Sequence, residues 1–292
     1  MGKKKDYIDY SYEDWISDEV KKSELLSKRL ETEYLMKEIR SGHQLECEIY
    51  PKFEKLSEIP ESFRKKKDNR KAMRNLNDKN ARKYVERLIN CNFSDDDIWA
   101  TFTYDDDHLP EDIEAALNYM KKFLRRVNYK RKKKGLPKAR YIYVTEYDPD
   151  SKIRFHHHLV IDGALSMDEL EECWGIKSRN ELRRMREDDS GYSGIANYIT
   201  KQKRKLNERR WNSSSGLKKP DVKIRKSKPR VRGSTAYRKM QSFMESFRKD
   251  NDDIRQQALK WFPEYDFIDF KIRMNPVNNY FYVWFRLKER YG

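Results

Sequence analysis

The residues whose types and spacing could do chemistry lie in a short histidine run. Three of the five histidines stand in a row, at positions 156 to 158, and apolar residues follow them. If this segment is a strand, side chains alternate between its faces, so that His156 and His158 point one way and His157 the other. Two imidazoles about 7 Å apart along a strand can bind one metal ion. The alternative is a histidine-rich strand whose ring nitrogens are satisfied by hydrogen bonds.

A carboxylate precedes this run on another predicted strand, which spans residues 141–147. Glu146 shares a face with Ile142 and Val144, and antiparallel pairing of the two strands would bring its carboxylate near His156 or His158. Two histidines and one carboxylate leave coordination positions open and suit Mn²⁺ or Mg²⁺. The same ligand set could instead hold iron for oxygen chemistry, although a strongly basic chain has no evident use in that reaction.

A predicted helix that begins near Tyr192 carries the candidate nucleophile. Tyr198 and Lys201 are three residues apart and share one helix face. A metal ion can neutralise charge on a phosphate, and the phenol of Tyr198 could then attack the phosphorus while Lys201 favours the phenolate or the phosphate charge. Tyr192 is a weaker second candidate, and Tyr198 as an ordinary buried phenol is the alternative.

The charge balance indicates a polyanionic partner. The chain has 65 Lys and Arg against 49 Asp and Glu, a net charge of +16, which favours nucleic acid. The chain has no run of 18 apolar residues, so no membrane span is predicted. Its three cysteines are scattered and form no CxxC pair, which predicts an intracellular protein without a disulfide framework.

Two stretches concentrate this charge. Residues 121–140 contain 11 Lys and Arg and no acid, and residues 201–239 contain 16 against two acids. A solvated helix face and a disordered loop are the alternatives to nucleic-acid binding. The residues expected to contact DNA are Arg154, Lys203, Arg204, Lys205, Arg209, Arg210 and Trp211.

The order of predicted elements defines the fold class. Ser166, with Glu169 three residues on, predicts a capped helix over 166–173. A strand at 98–104, a helix at 111–133, two strands, this helix and a further helix predict an α+β fold with a ferredoxin-like or RRM-like antiparallel sheet and helices on one face. We expect three segments. Residues 1–95 form a helical, partly acidic extension with amphipathic spacing from Leu25 to Ile39, 96–220 form the core, and 221–292 hold a helix at 237–261 and an aromatic β-hairpin.

Three segments in this order resemble the motifs of HUH endonucleases, the rolling-circle replication initiators of phages and plasmids. They are Trp99-Ala-Thr-Phe-Thr-Tyr104, Arg154-Phe-His-His-His-Leu-Val160 and Asn197-Tyr-Ile-Thr-Lys201. The resemblance covers about residues 97–220 and implies that His156 and His158 bind the metal, with Glu146 as a third ligand. It also implies Tyr198 as a single catalytic tyrosine, because position 194, where some phage initiators carry a second one, is Gly.

The sequence therefore predicts a metal-dependent DNA endonuclease and nucleotidyltransferase. It would nick and rejoin single-stranded or cruciform origin DNA through a 5′-phosphotyrosine in the cytoplasm of a bacterial host, with a host helicase and polymerase as further expected partners. A relaxase or single-tyrosine transposase would use the same chemistry. A non-catalytic nucleic-acid-binding protein on a similar sheet is the alternative of another class.

Overall fold

The computed structural model describes residues 8–10, 34–51, 70–148, 153–201, 211–226, 251–274 and 281–290. The chain forms two compact units: residues 1–68 with 220–292, and residues 69–219. The helices are α1 (Arg70–Asn92), α2 (Ile113–Lys133), α3 (Met167–Trp174), α4 (Ser193–Thr200) and α5 (Asn251–Trp261). The strands are β1 (Ile8–Tyr10), β2 (Tyr34–Ser41), β3 (Gln44–Pro51), β4 (Ile98–Phe102), β5 (Tyr141–Asp148), β6 (Ile153–Ile161), β7 (Glu181–Arg184), β8 (Asn212–Ser213), β9 (Asp221–Lys226), β10 (Tyr265–Met274) and β11 (Phe281–Glu289).

The unit formed by residues 69–219 contains a five-stranded antiparallel sheet in the order β7-β4-β6-β5-β8. Strands β4 and β5 are connected by α2 and separated in the sheet by β6, while β6 and β7 are connected by α3 and separated by β4. This is the split βαβ arrangement of ferredoxin-like folds. The α+β prediction is confirmed.

Helices cover both faces of this sheet, where the sequence predicted one. Alternation along β4 sends Ala100 and Phe102 to one face, where they pack with residues of α2 and α3 such as Phe123 and Trp174. The other face carries Trp99, which packs in a second cluster with α1 and α4 residues. The α1 residues that pack in this cluster include Val85, Leu88 and Ile89, toward the C-terminal end of the helix, and the sequence prediction did not place this helix on the sheet.

Local capping signals set the ends of the helices that support the sheet. Ser166 and Glu169 form the predicted capping box at the start of α3, and Gly175 ends that helix in the left-handed conformation, with φ of 76°. Asp112 caps α2 by accepting a hydrogen bond from the Ala115 backbone N–H. The expected boundaries of both helices therefore agree closely with the observed ones.

The other unit contains a six-stranded antiparallel sheet in the order β1-β10-β11-β3-β2-β9. Its core is formed by residues of β2, β3, β10 and β11 together with Ala258 in α5 and Phe262 directly after that helix. The predicted aromatic hairpin is confirmed as β10 and β11, which pair along their length. Strand β10 also pairs with β1, and β11 also pairs with β3, so that this hairpin belongs to the six-stranded sheet and not to the sheet of residues 69–219.

The N-terminal helix predicted from Leu25 to Ile39 is wrong over its second part. Tyr34 to Ser41 form β2, which pairs with β3 across the turn at Gly42; residues 25–33 and the first part of the predicted 237–261 helix, at 237–250, lie outside the described residues. The three predicted segments also differ from the observed units, since α1 belongs to the unit of residues 69–219, and β1 and β11 belong to one sheet. Within the part of the chain that the structure describes, no helix has the length and apolar character needed to cross a membrane.

Candidate active site

Antiparallel pairing of β5 with β6 brings the predicted metal ligands together. Glu146 lies directly opposite His156, and His158 follows on the same face of β6. The Glu146 Oε2 atom is 3.2 Å from His156 Nε2 and 3.3 Å from His158 Nε2. The candidate ligand atoms of all three residues lie within 4.8 Å of one another. One oxygen and two nitrogens thus converge at a point where a single cation could contact all three.

The second nitrogen of each imidazole is held by a neighbour, which orients the Nε2 atoms. His156 Nδ1 is 2.9 Å from the backbone oxygen of Arg154, which can only accept, so Nδ1 carries the proton in this bond. His158 Nδ1 is 3.1 Å from Thr101 Oγ1 on β4. Such outer contacts fix the tautomer and ring orientation of metal-binding histidines. Thr101 was not predicted, although its position on the same face of β4 as Trp99 follows from simple alternation.

The electrostatics of the cluster favour a cation at the same point. Hydrogen bonds from His156 and His158 hold the pKa of Glu146 well below its ordinary value. Burial lowers the pKa of His156, but the hydrogen bonds with Glu146 and with the Arg154 carbonyl outweigh it, so the net pKa is raised. The carboxylate is therefore ionised and attracts positive charge, which a proton or a metal ion can supply.

His157 has a different role from its two neighbours. It is fully buried on the opposite face of the sheet, with Nδ1 2.9 Å from Thr145 Oγ1 and Nε2 2.6 Å from the Tyr104 hydroxyl. Burial and the neighbouring histidines lower its pKa to about 3, so it is neutral near pH 7. Both ring nitrogens are satisfied within the core, so that His156 and His158 are left as the candidate ligands of this run.

Helix α4 places Tyr198 beside the cluster. Ala196 and Ile199 are buried against the sheet, while Tyr198 is 56% exposed. Its ring centroid lies 6.0 Å from that of His158. The Nζ atom of Lys201 is 6.0 Å from the centroid of the Tyr198 ring. The predicted nucleophile and its lysine are thus together, accessible and next to the candidate metal ligands.

Trp99 connects these parts, and the sequence prediction did not assign it a role. Its ring is stacked on His158, with centroids 5.3 Å apart and planes 6° apart, and its centroid is 6.3 Å from that of Tyr198. It is buried in the cluster between the sheet and helices α1 and α4. The tryptophan therefore restrains the ring of His158, a candidate ligand, and lies beside Tyr198, the candidate nucleophile.

Tyr192 is not brought into this arrangement. It is buried, its hydroxyl donates to Asp95 Oδ1 at 2.8 Å, and its backbone N–H donates to Asn90. Burial and the hydrogen bond with Asp95 raise its pKa well above the ordinary value. These contacts make Tyr192 a packing residue that joins α1 to the start of α4.

The structure describes only some of the residues predicted to contact DNA. Arg154 is exposed and pairs with Asp106 at 2.8 Å, so its guanidinium lies near the end of β4 rather than at the Nε2 atoms. Trp211 packs partly buried against the cluster on the Trp99 face. Lys203, Arg204, Lys205, Arg209 and Arg210 lie outside the described residues, and their role remains a prediction.

One comparison with known proteins bears on this site. Residues 97–203 match the family model of the replication-associated protein ORF2/G2P. The match spans less than half of the 292 residues and includes β4, the two strands that carry the candidate metal ligands, and Tyr198. No curated protein and no solved structure gives a significant match. The region that contains the candidate site is thus similar to a family of replication-associated proteins, and this similarity supports a replication initiator that acts on DNA.

Proposed function

We propose that this protein is a metal-dependent endonuclease of the HUH type that nicks and rejoins one DNA strand to initiate rolling-circle replication. The observation that carries the proposal is the convergence of Glu146, His156 and His158 beside the exposed hydroxyl-bearing ring of Tyr198. The similarity of residues 97–203 to replication-associated proteins supports DNA as the substrate. A non-catalytic binding protein would have no need of three ligand atoms directed at one point.

The donor set fits a divalent cation. Glu146, His156 and His158 would hold Mn²⁺ or Mg²⁺ through one carboxylate oxygen and two imidazole nitrogens. When bound, the ion would neutralise negative charge on the scissile phosphate. Thr101 and the Arg154 carbonyl orient the imidazoles, and Trp99 limits movement of His158.

The chemical step belongs to Tyr198. After its phenol loses a proton, the phenolate oxygen attacks the phosphorus, and the bond between phosphorus and the 3′ oxygen breaks. The 3′ oxygen takes up a proton and leaves as a free 3′-OH that can prime a polymerase, while the 5′ phosphate stays bound to Tyr198. Attack of a 3′ oxygen on this phosphotyrosine reverses the step and rejoins the strand. Lys201, beside the ring, would favour the phenolate or the phosphate charge.

A single tyrosine performs both half-reactions in this proposal. Gly194 offers no second hydroxyl one turn before Tyr198, and Tyr192 is buried and bonded to Asp95. Single-stranded or cruciform origin DNA is the proposed substrate, with a host helicase and polymerase as further partners in the cytoplasm of a bacterial cell. A relaxase or transposase would share the chemistry and differ in the DNA that it recognises.

A covalent-adduct experiment tests the proposal. Wild-type protein is incubated with end-labelled single-stranded DNA from its replicon and Mn²⁺ or Mg²⁺, and the products are separated on a denaturing protein gel. A labelled adduct should form only with metal, and it should be lost in Tyr198→Phe and in His156→Ala/His158→Ala. Tyr84→Phe, which removes the hydroxyl of another exposed tyrosine, should keep the adduct.

The results of this experiment distinguish the proposed nicking activity from its alternatives. An adduct that persists in Tyr198→Phe would transfer the nucleophile to another residue. Formation of the adduct after chelation of all divalent ions would contradict the metal requirement. If no fragment of the replicon is cleaved while binding is intact, the protein is a binding module.

A further inference from the structure

The second half of α2 and the loop after it carry more positively charged side chains than are held by ion pairs or by backbone carbonyl groups. Residues 121–140 contain 11 Lys and Arg and no acid. Four of them have evident structural contacts. Arg131 forms a buried ion pair with Asp162, Arg126 donates to the carbonyl oxygens of Cys173 and Trp174, and Lys130 and Lys134 pair with acids of α3.

The other seven cations are exposed, and none has an acidic partner in the described ranges: Lys121, Lys122, Arg125, Lys132, Lys133, Lys138 and Arg140. A helix C-terminus favours nearby cations because it carries about half a negative charge. That partial charge can balance one of these side chains, and it leaves most of the cluster uncompensated. Like charges held this close repel one another, so a binding role is the simplest reason to keep them.

An aromatic groove lies within this charged surface. We call it the α2 groove; its volume is about 520 Å³, and it is lined by Asn128, Tyr129, Lys132, Gly135, Leu136 and Lys138. Tyr129 is 62% exposed, the most exposed large aromatic or aliphatic side chain among the described residues. Lys133 Nζ is 4.7 Å from the centroid of its ring. Gly135, at φ of 69°, has no atom near its missing Cβ, so the groove is open at the turn.

The α2 groove is separate from the candidate active site. The buried side of α2, including Met120, Phe123 and Val127, packs on the sheet face that carries Phe155 and Leu159. His156, His158 and Tyr198 lie on the opposite face. A strand of DNA held in the groove would therefore be bound on the other side of the sheet from the point of cleavage.

We propose that the α2 groove binds single-stranded nucleic acid, with Tyr129 stacking on a base and Lys132, Lys133 and Lys138 contacting phosphates. An exposed aromatic ring between cations is what a sequence-tolerant single-strand site requires, since every base offers a π-face and every nucleotide a charge. An acidic protein surface would require only the positive charge of the lysines, so the exposed aromatic ring favours nucleic acid as the ligand. This inference goes beyond the proposed nicking activity, because it concerns DNA that is bound but not cut.

The test measures binding by the full-length chain in the Tyr198→Phe background, so that no covalent adduct contributes. A fluorescent single strand of about 20 nucleotides is titrated at several salt concentrations and followed by anisotropy. Lys132→Ala/Lys133→Ala/Lys138→Ala should bind roughly 10- to 100-fold more weakly at 0.1 M salt, and its salt slope should fall by about 2, because each phosphate contact on a single strand contributes about 0.7. Lys79→Ala/Lys177→Ala/Arg186→Ala removes the same charge from exposed cations elsewhere in the unit and outside both basic stretches and should change binding by less than about threefold.

Tyr129 provides an independent readout. Tyr129→Ala should weaken single-strand binding about 5- to 100-fold, the loss expected for one stacked base, whereas Tyr129→Phe should bind nearly as wild type. Photocrosslinking to a strand that contains bromodeoxyuridine should label the peptide with Tyr129. Thermal unfolding followed by circular dichroism confirms that each variant is folded.

Several results would overturn the proposal. Equal weakening by the two triple variants would show a general effect of net charge. If Tyr129→Ala has no effect and duplex DNA binds as tightly as the single strand, the surface is not a single-strand site. Competition by polyglutamate as effective as competition by unlabelled DNA would assign the groove to acidic protein partners. Because the assay requires no cleavage, its result is independent of whether Tyr198 is the nucleophile.

Discussion

Thr101 offers the sharpest test of how the candidate metal ligands are positioned. Thr101→Val keeps the branched side-chain shape and removes only the hydroxyl that lies 3.1 Å from His158 Nδ1. His158 is buried, with 8% of its surface exposed, so water cannot readily replace that contact. The variant should leave the imidazole less well oriented and a ring nitrogen without its partner.

The magnitude follows from both losses. Removing an outer partner of a ligand typically lowers metal affinity about 10- to 100-fold, equivalent to about 1.4 to 2.8 kcal/mol of binding free energy. Leaving a buried polar atom unsatisfied costs about 1 to 3 kcal/mol of unfolding free energy. Thr101→Val should therefore weaken Mn²⁺ binding by one to two orders of magnitude and lower stability modestly.

Isothermal titration of the metal-free protein with Mn²⁺ measures the first effect, and urea unfolding the second. The matched control is Thr145→Val, which removes the hydroxyl 2.9 Å from His157 Nδ1 on the opposite face of the sheet. It should lose comparable stability but keep its Mn²⁺ affinity within about twofold, because His157 is no ligand. Wild-type affinity in Thr101→Val, or equal losses in both variants, would refute the reasoning.

Two further predictions concern residues near the cluster. Tyr192→Phe removes the hydrogen bond to the Asp95 carboxylate and should lower the free energy of unfolding by about 1 to 3 kcal/mol while the covalent adduct still forms; loss of the adduct in a folded variant would return Tyr192 to the catalytic role. Because the pKa of Glu146 is lowered on folding, its ionised form contributes stability that is present above its ordinary pKa and lost as pH falls through the lowered one. Metal-free wild type should therefore lose more stability than Glu146→Gln between pH 6 and pH 3, as measured by urea midpoints, and identical acid sensitivity would contradict this.

Side-chain alternation made much of the candidate site predictable. Period-two spacing placed His156 and His158 on one face of a strand, and the short connection to the preceding strand implied an antiparallel partner that carries Glu146. Local helix signals such as Ser166 likewise fixed the element order and hence the α+β class. Each of these inferences depends on residues close together in the sequence.

Contacts between distant segments were not predictable in the same way. The role of Thr101 depends on β4 pairing with β6, and the stacking of Trp99 on His158 depends on packing after that pairing forms. The N-terminal error has a similar origin. Apolar residues from Leu25 to Ile39 fit a helical spacing, but residues 34–41 form a strand because they pair with β3 and β9. Such tertiary pairing can override the local preference of a sequence.

The six-stranded sheet has a consequence for how the protein is made. Strands β2 and β3 can pair with each other early, but the other edge of β3 pairs with β11 and has no partner until residues 281–289 have been synthesised. The unit of residues 69–219 is complete long before that, and it is contiguous in the chain. Since chains emerge from the ribosome N-terminal first and distant pairings form slowly, the unit that contains the candidate site should fold before β3 has paired with β11. Those unpaired edges would be the part of the nascent protein most exposed to misassociation and to chaperones.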